Sequence, residues 1–386
     1  MLLHSNVFSQ LESPTWEDSS TASECKELED KIGVENLARI TGSVAYERFT
    51  DCKICAFTGD NPASLLWFEG LSTKAQVNDK QTVVISLGTS DTLMFSLDSY
   101  PYSTEKSCDL SDSSARLGYT GHVLCHPVDP NRWAALLCYK NGSLTRDHIC
   151  DRILNSIDHI TQSDKWVAFE AAASSYTTTE DIFGFYYLMP EIIPKAQGIF
   201  RFRKINICSQ DHLENSDSNN MNNILKLEED QYIMEADVQD FGPLDAKLML
   251  ESQFVCMLLD CKKKGVETNH IDKIVVTGGA SSNMLICQTI SDVFGQNVYT
   301  SRLPNIEHSY ADIDVLSKVS SYTVALGGIV SVCSQGEYQQ HKDDVMSNFG
   351  LVLLSTPNPE KTQYYNSKLD SYDKLRSYLE TNYPPN

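Results

Sequence analysis

Three separated clusters in this chain combine residue types that do chemistry on phosphates and hydroxyls. They are Thr58-Gly59-Asp60-Asn61, Ser86-Leu87-Gly88-Thr89-Ser90 and Thr277-Gly278-Gly279-Ala280-Ser281-Ser282-Asn283. Each follows an apolar run that reads as a strand. A carboxylate on a turn at a strand's end can reach into a cleft, orient a hydroxyl and take its proton, which makes Asp60 a candidate base. Gly88 lets the backbone come close to a ligand so that N–H groups face phosphate oxygens, and Thr89 and Ser90 add hydroxyl donors. Gly278 and Gly279 permit contact with a nucleotide, and the helix start behind them favours its phosphates. Each cluster also has a plain structural reading. Asp60-Asn61 could only cap a helix that has Pro62 at its first position. Gly88–Asp91 could be an ordinary polar hairpin turn, and Gly278-Gly279 a simple strand-to-helix turn. The dinucleotide pattern G-x-G-x-x-G and the P-loop pattern G-x-x-x-x-G-K are both absent.

The elements that must hold these clusters are legible in part. Lys53–Phe57 reads as a short strand before Asp60. Thr82–Leu87 and Thr92–Leu97 read as strands around a tight turn, and Val123–Cys125 with Trp133–Tyr139 as a second hairpin. Asn141-Gly142-Ser143 opens a helix to about Leu154. Pro243 begins an amphipathic helix with Leu244, Leu248, Val255, Leu258 and Leu259 at helical spacing, closed near Lys262–Lys264 and Gly265. Lys273–Val276 is a strand, and a helix from about Asn283 to Phe294 stops at Gly295. A last helix covers about Gln363–Leu379. Residues 209–231 read as a solvated insertion, and 302–319 as a polar one. Strands alternating with helices, plus hairpins, indicate an α/β domain with a mixed sheet.

Composition narrows the function classes. The 386 residues suffice for two domains, and 41% hydrophobic with 22% charged residues is globular usage. A net charge of −21 argues against general affinity for nucleic acid or anionic membrane. No signal peptide and no run of membrane-spanning length is visible, so the expected location is the cytoplasm. The twelve cysteines follow no framework, and Cys52-Lys53-Ile54-Cys55 has no second Cys/His pair at zinc spacing, so no metal site is expected from them.

The three clusters, in this order, resemble the second half of the FGGY carbohydrate kinases, in their xylulose-phosphorylating branch. Supporting segments are His126-Pro127-Val128-Asp129, Tyr139-Lys140-Asn141-Gly142-Ser143-Leu144, Pro190-Glu191-Ile192-Ile193-Pro194 and Pro357-Asn358-Pro359. The resemblance implies a ribonuclease H-like fold of the actin-like ATPase and sugar kinase type. It implies ATP and Mg²⁺ as cofactors and D-xylulose as acceptor, phosphorylated on its 5-hydroxyl. Asp60 would be the catalytic base and Asn61 a sugar contact. Gly88, Thr89 and Ser90 would hold phosphate, and Gly278, Gly279 and Asn283 the nucleoside. Trp166, ahead of Gly184-Phe185-Tyr186, would flank the nucleotide, or else is a partly buried surface tryptophan. Asp91 stands where many relatives have Gly, so its side chain is expected to point away from the phosphates or toward a metal.

Residues 1–39 are polar and poor in pattern and read as a poorly ordered lead-in or a marginal helix. The same resemblance implies the end of a first kinase domain over 40–81, a nucleotide-binding domain over 82–345, and a C-terminal helix and tail over 346–386. No Asp-x-Gly-Thr phosphate loop is found, so the sugar site is expected to be incomplete. Three outcomes stay open beside turnover of xylulose: a kinase of a related sugar or polyol, a nucleotide-binding chain without catalysis, and a module that pairs with itself or with a full-length homologue.

Overall fold

The computed structural model describes residues 22–41, 45, 59–71, 81–101, 121–154, 165–175, 181–205, 224–302 and 349–385. The expected strand at Lys53–Phe57 and the Cys52–Cys55 pair lie outside them.

Runs rich in valine, isoleucine and leucine form the central strands, and both faces of each run are buried. In β1 (Gln81–Leu87), Val83, Ile85 and Leu87 face one core and Val84 the other. The same alternation holds in β2 (Asp91–Leu97), β4 (Trp133–Tyr139) and β9 (Ile271–Thr277), where Met94, Leu136 and Val275 share the face of Val84. A sheet covered on both faces needs apolar residues at every position, so these strands read as continuous apolar runs. With β3 (His122–Cys125), β10 (Val298–Arg302) and β11 (Gly350–Ser355) they make one seven-stranded sheet in the order β11-β10-β9-β1-β2-β4-β3. Strand β9 runs parallel to both β1 and β10, and the other pairs are antiparallel.

The first helices, α1 (Ala22–Ile32) and α2 (Val34–Thr41), occupy part of the expected lead-in, and the Tyr100 hydroxyl donates to the Ala38 carbonyl of α2. Helix α3 (Asp60–Gly70) lies on the Val84 face and buries Leu65, Leu66, Trp67 and Phe68. The opposite face carries α4 (Ser143–Leu154), α5 (Lys165–Ser175), α6 (Pro243–Lys263), α7 (Met284–Phe294) and α8 (Pro359–Asn382). Helix α6 is central. Gly242 caps it, and the Asp245 carboxylate accepts from the Gly242 N–H at 2.7 Å. Near its end, Asp260 pairs with Arg376 of α8 at 2.8 Å and accepts from the Tyr139 hydroxyl at 2.8 Å.

A second sheet, ordered β5-β6-β8-β7, consists of β5 (Ile182–Tyr187), β6 (Gly198–Lys204), β7 (Ile224–Leu227) and β8 (Asp230–Ala236). Phe183 and Phe185 of β5 meet Tyr372 of α8 edge-on, at 5.0 and 5.7 Å. The reading of 209–231 as a solvated insertion is therefore corrected at its end. Residues 224–231 belong to a hairpin, because Tyr232 and Met234 anchor β8 in the core and draw β7 into register.

His122 of β3 is 9% exposed, and burial, reinforced by the nearby Lys264 charge, pushes its imidazole down to about 4. The unfolded chain takes up that proton near 6.5. This contribution to stability is thus complete above about pH 6.5 and is lost as pH falls toward 4. Moving from about pH 7.5 to about pH 4.5 should cost the protein roughly 2–3 kcal/mol more than it costs His122→Gln, as read from urea unfolding midpoints.

Candidate active site

The first residues of β2 and the last of β1, β4 and β9 lie at one edge of the seven-stranded sheet: Leu87 pairs with Asp91, Asp91 with Tyr139, and Ser86 with Thr277. The turns that leave this edge carry the sequence clusters. Gly88-Thr89-Ser90 is the three-residue loop between β1 and β2. Gly278-Gly279 leaves β9, the parallel neighbour of β1. Gly278 has φ +89°, and a Cβ there would lie 2.4 Å from the Leu87 carbonyl oxygen and 2.8 Å from its carbon. The second and third clusters are thus in van der Waals contact across neighbouring strand ends. That is where ligands bind in open α/β sheets.

The first cluster joins the same edge. Helix α3 begins at Asp60, with Gly59 as its N-cap and no side-chain cap, so Pro62 is its third residue rather than its first. The capping reading of Asn61 is corrected: its carboxamide oxygen accepts from the Thr92 hydroxyl of β2 at 3.2 Å. The Asp60 carboxylate is exposed, and one oxygen accepts from the Asn61 N–H at 2.8 Å. Asp60 and Asn61 are therefore placed beside the loop at Gly88–Ser90.

Behind that loop sits a pair the sequence does not announce. Arg146 of α4 donates to both Asp91 oxygens, at 2.7 and 2.8 Å, with both side chains buried. Of the two orientations expected for Asp91, the structure has the one that points away. Gly142 makes room for it, since a Cβ there would lie 2.7 Å from both the Asp91 nitrogen and its Oδ1. The Ser143 N–H donates to the Gly88 carbonyl at 3.1 Å. Asn141, between β4 and α4, donates through Nδ2 to Glu191 at 2.8 Å and to the Met189 carbonyl at 2.9 Å, tying the edge to the second sheet. Burial raises the Glu191 carboxyl above its usual range, although hydrogen bonds from Asn141, Ile192 and Lys140 oppose that shift. The supporting segments at 139–144 and 190–194 are thus framework. His126 serves a turn at the other end of the sheet, where Nδ1 accepts from the Asp129 N–H at 3.1 Å and Nε2 meets Glu69 at 3.0 Å.

Asn283 caps α7: its Oδ1 accepts from the Ile286 N–H at 3.0 Å. Ser281 and Ser282 close the turn onto the Gly278 and Gly279 carbonyls at 2.7 and 2.9 Å. Trp166 is half-buried at the start of α5, edge-on to Phe169 at 5.6 Å and under the Lys165 ammonium at 5.7 Å. Arg146, Gln253 and Glu191 were missed by sequence reasoning. The one available signal was Asp91, a carboxylate beside an expected phosphate loop, which calls for a partner. No group of three or more His, Cys, Asp or Glu side chains that could hold a metal is found among the described residues. No helix among them is long and apolar enough to cross a membrane.

A mixed sheet flanked by helices, with paired glycine turns at one edge, is the actin-like ATPase architecture of the sugar kinases. The crystal structure of xylulose kinase from Rhodospirillum rubrum matches with a TM-score of 0.50 at 13% identity, over 84% of this chain and 51% of that one, which establishes the fold. In sequence, the xylulose kinase of Mus musculus is 28% identical over 381 residues, covering 96% of this chain and 55% of that protein. The Rattus norvegicus enzyme is 29% identical, covering 96% and 57%. No family model matches the chain. The chain is thus similar to these xylulose kinases along nearly its whole length, and it spans little more than half the length of these relatives.

The contact at Gly278 makes a direct prediction. Gly278→Ala meets both a left-handed backbone and the Leu87 carbonyl, and should lower stability by roughly 2–4 kcal/mol. Gly279→Ala has nothing within 4 Å of the new Cβ and should stay within about 1 kcal/mol of the parent. Urea unfolding of the two variants side by side checks this; equal midpoints would remove the close packing argued for Gly278.

Proposed function

We propose that this chain carries the nucleotide-binding and catalytic-base part of an ATP-dependent sugar kinase that transfers the γ-phosphoryl group to the 5-hydroxyl of D-xylulose. The observation that carries the reading is the meeting of the three clusters at one sheet edge, with Gly278 against Leu87 and Asn61 bonded to Thr92. The resemblance to mouse and rat xylulose kinases supports the choice of sugar. ATP supplies the phosphoryl group. Gly278, Gly279 and Asn283 seat its nucleoside, with Trp166 alongside, and the Gly88–Ser90 N–H and hydroxyl groups hold its phosphates. Asn61 orients the sugar, and Asp60 accepts the hydroxyl proton as the sugar oxygen bonds to the γ-phosphorus and the bond to the β-bridging oxygen breaks. Mg²⁺ would accompany the nucleotide and offset the charge developing on the transferred group. No protein ligand is assigned to the ion, since Asp91 is bound to Arg146.

In the same proposal, residues 40–81 correspond to the end of a first kinase domain, 82–345 to the nucleotide domain, and 346–386 to its closing helix and tail. The setting is the cytoplasm. Sugar kinases close two domains over their substrates to exclude water. A second reading is a nucleotide-binding module without turnover. A copy of itself or a full-length homologue would then supply the opposing wall.

The test is ADP release by the purified chain with ATP, Mg²⁺ and D-xylulose, beside Asp60→Ala, with ATP binding titrated in parallel. Turnover that falls about 10²–10⁴-fold in Asp60→Ala, with ATP affinity kept, supports the kinase reading and the base. Binding without turnover in the parent chain selects the second reading, and absence of ATP binding would falsify both.

A further inference from the structure

We propose that Arg146 is a positioning residue for the Gly88–Ser90 loop: it holds Asp91 inward and thereby keeps a carboxylate charge away from the phosphates. The charge half of this inference rests on the phosphate-binding reading of the loop, whereas the positioning half does not.

Arg146 holds both ends of the loop. On its C-terminal side, Nη1 and Nη2 donate to Asp91, the residue directly after Ser90, at 2.7 and 2.8 Å. On its N-terminal side, Nη2 donates to the Ser143 hydroxyl at 2.9 Å, and the Ser143 N–H holds the Gly88 carbonyl at 3.1 Å. A third anchor fixes the guanidinium: Nη1 donates to Gln253 of α6 at 2.8 Å, and Gln253 Nε2 donates to the Asn141 carbonyl at 2.7 Å. Gly142 closes the wedge, because any side chain there would strike Asp91.

Electrostatics gives this arrangement a consequence beyond packing. Asp91 and Arg146 are 1% and 0% exposed, so neither charge is screened by water, and each is felt over several ångströms. Together they are close to neutral, so the N–H groups of the loop would set the field that a phosphate meets. Without Arg146, an uncompensated carboxylate stands one residue from the loop. Without both charges, neutrality returns.

Three variants separate these effects: Arg146→Met, Asp91→Asn, and the two combined. Amide hydrogen exchange across 88–91 should be tenfold or more faster in Arg146→Met, with α7 unchanged. A loop that exchanges at the parent's rate overturns the positioning role. Affinities for ADP and adenosine read the charge. Arg146→Met should lose tenfold or more for ADP while adenosine stays within twofold, and the combined variant should regain most of the ADP affinity. A parallel loss of both ligands, or no recovery in the combined variant, overturns the charge role. Should Arg146→Met not fold, Asp91→Asn replaces it, with a few-fold faster loop exchange and ADP affinity kept or raised; a fall in ADP affinity there also overturns the charge role. A parent chain that binds neither ligand defeats the nucleotide reading and the charge role together, and the exchange rates still decide the positioning.

Discussion

Gly278 has no room for a side chain because the carbonyl oxygen of Leu87 lies 2.4 Å from where its Cβ would be. That packing follows from the parallel pairing of β1 with β9, which brings Ser86 opposite Thr277. Antiparallel neighbours present one strand's end beside the other's start, so their loops leave as a single hairpin. Parallel neighbours end side by side, and two independent loops emerge next to each other. Two glycine turns separated by nearly two hundred residues thereby come to lie side by side.

The rest of the architecture serves that junction. Parallel strands are stable only when both faces are covered. Helices α6 and α7 cover one face, and α3 covers the other through Leu65, Leu66, Trp67 and Phe68. Helix α3 thus has two duties. Its apolar length closes the core over Val84 and Val275, and its first turn carries Asp60 and Asn61 to the same edge as the loops. The Asn61–Thr92 hydrogen bond sets the register of helix against sheet where the chemistry needs it. Burial along the remainder of the helix supplies most of the free energy that keeps it there.

Much of this was legible in the sequence where a local rule applied. The hairpin around Gly88, the strand before Gly278 and the helices at 143–154, 243–263 and 284–294 follow from β-branched runs and helical spacing. Legibility failed where tertiary packing decides. Pro62 suggested a helix start two residues too late, because Gly59 accepts the first helical hydrogen bond and Asn61 turns to Thr92. The acidic, asparagine-rich stretch before Ile224 masked a hairpin whose inward residues are Tyr232 and Met234. Arg146 looked like any helical arginine, since nothing in Ser-Leu-Thr-Arg says that its partner is Asp91, fifty-five residues earlier. Pairing over that distance is created by the fold alone.

For a chain with net charge −21, the proposed anionic ligand requires that carboxylates near the site be disposed of. The chain does this in three ways. Asp91 is turned inward and neutralised by Arg146. Glu191 is buried and surrounded by donors from Lys140, Asn141 and Ile192, and burial raises its affinity for a proton. Asp60 is treated differently: it is exposed, at the positive end of α3, with the Asn61 N–H on one oxygen. Framework carboxylates are withdrawn from the ligand side, and a reactive one has to be left reachable. A general base must combine access to solvent-side substrate with a fixed orientation. Under the proposed function, the contrast among the three acids favours Asp60 as the base.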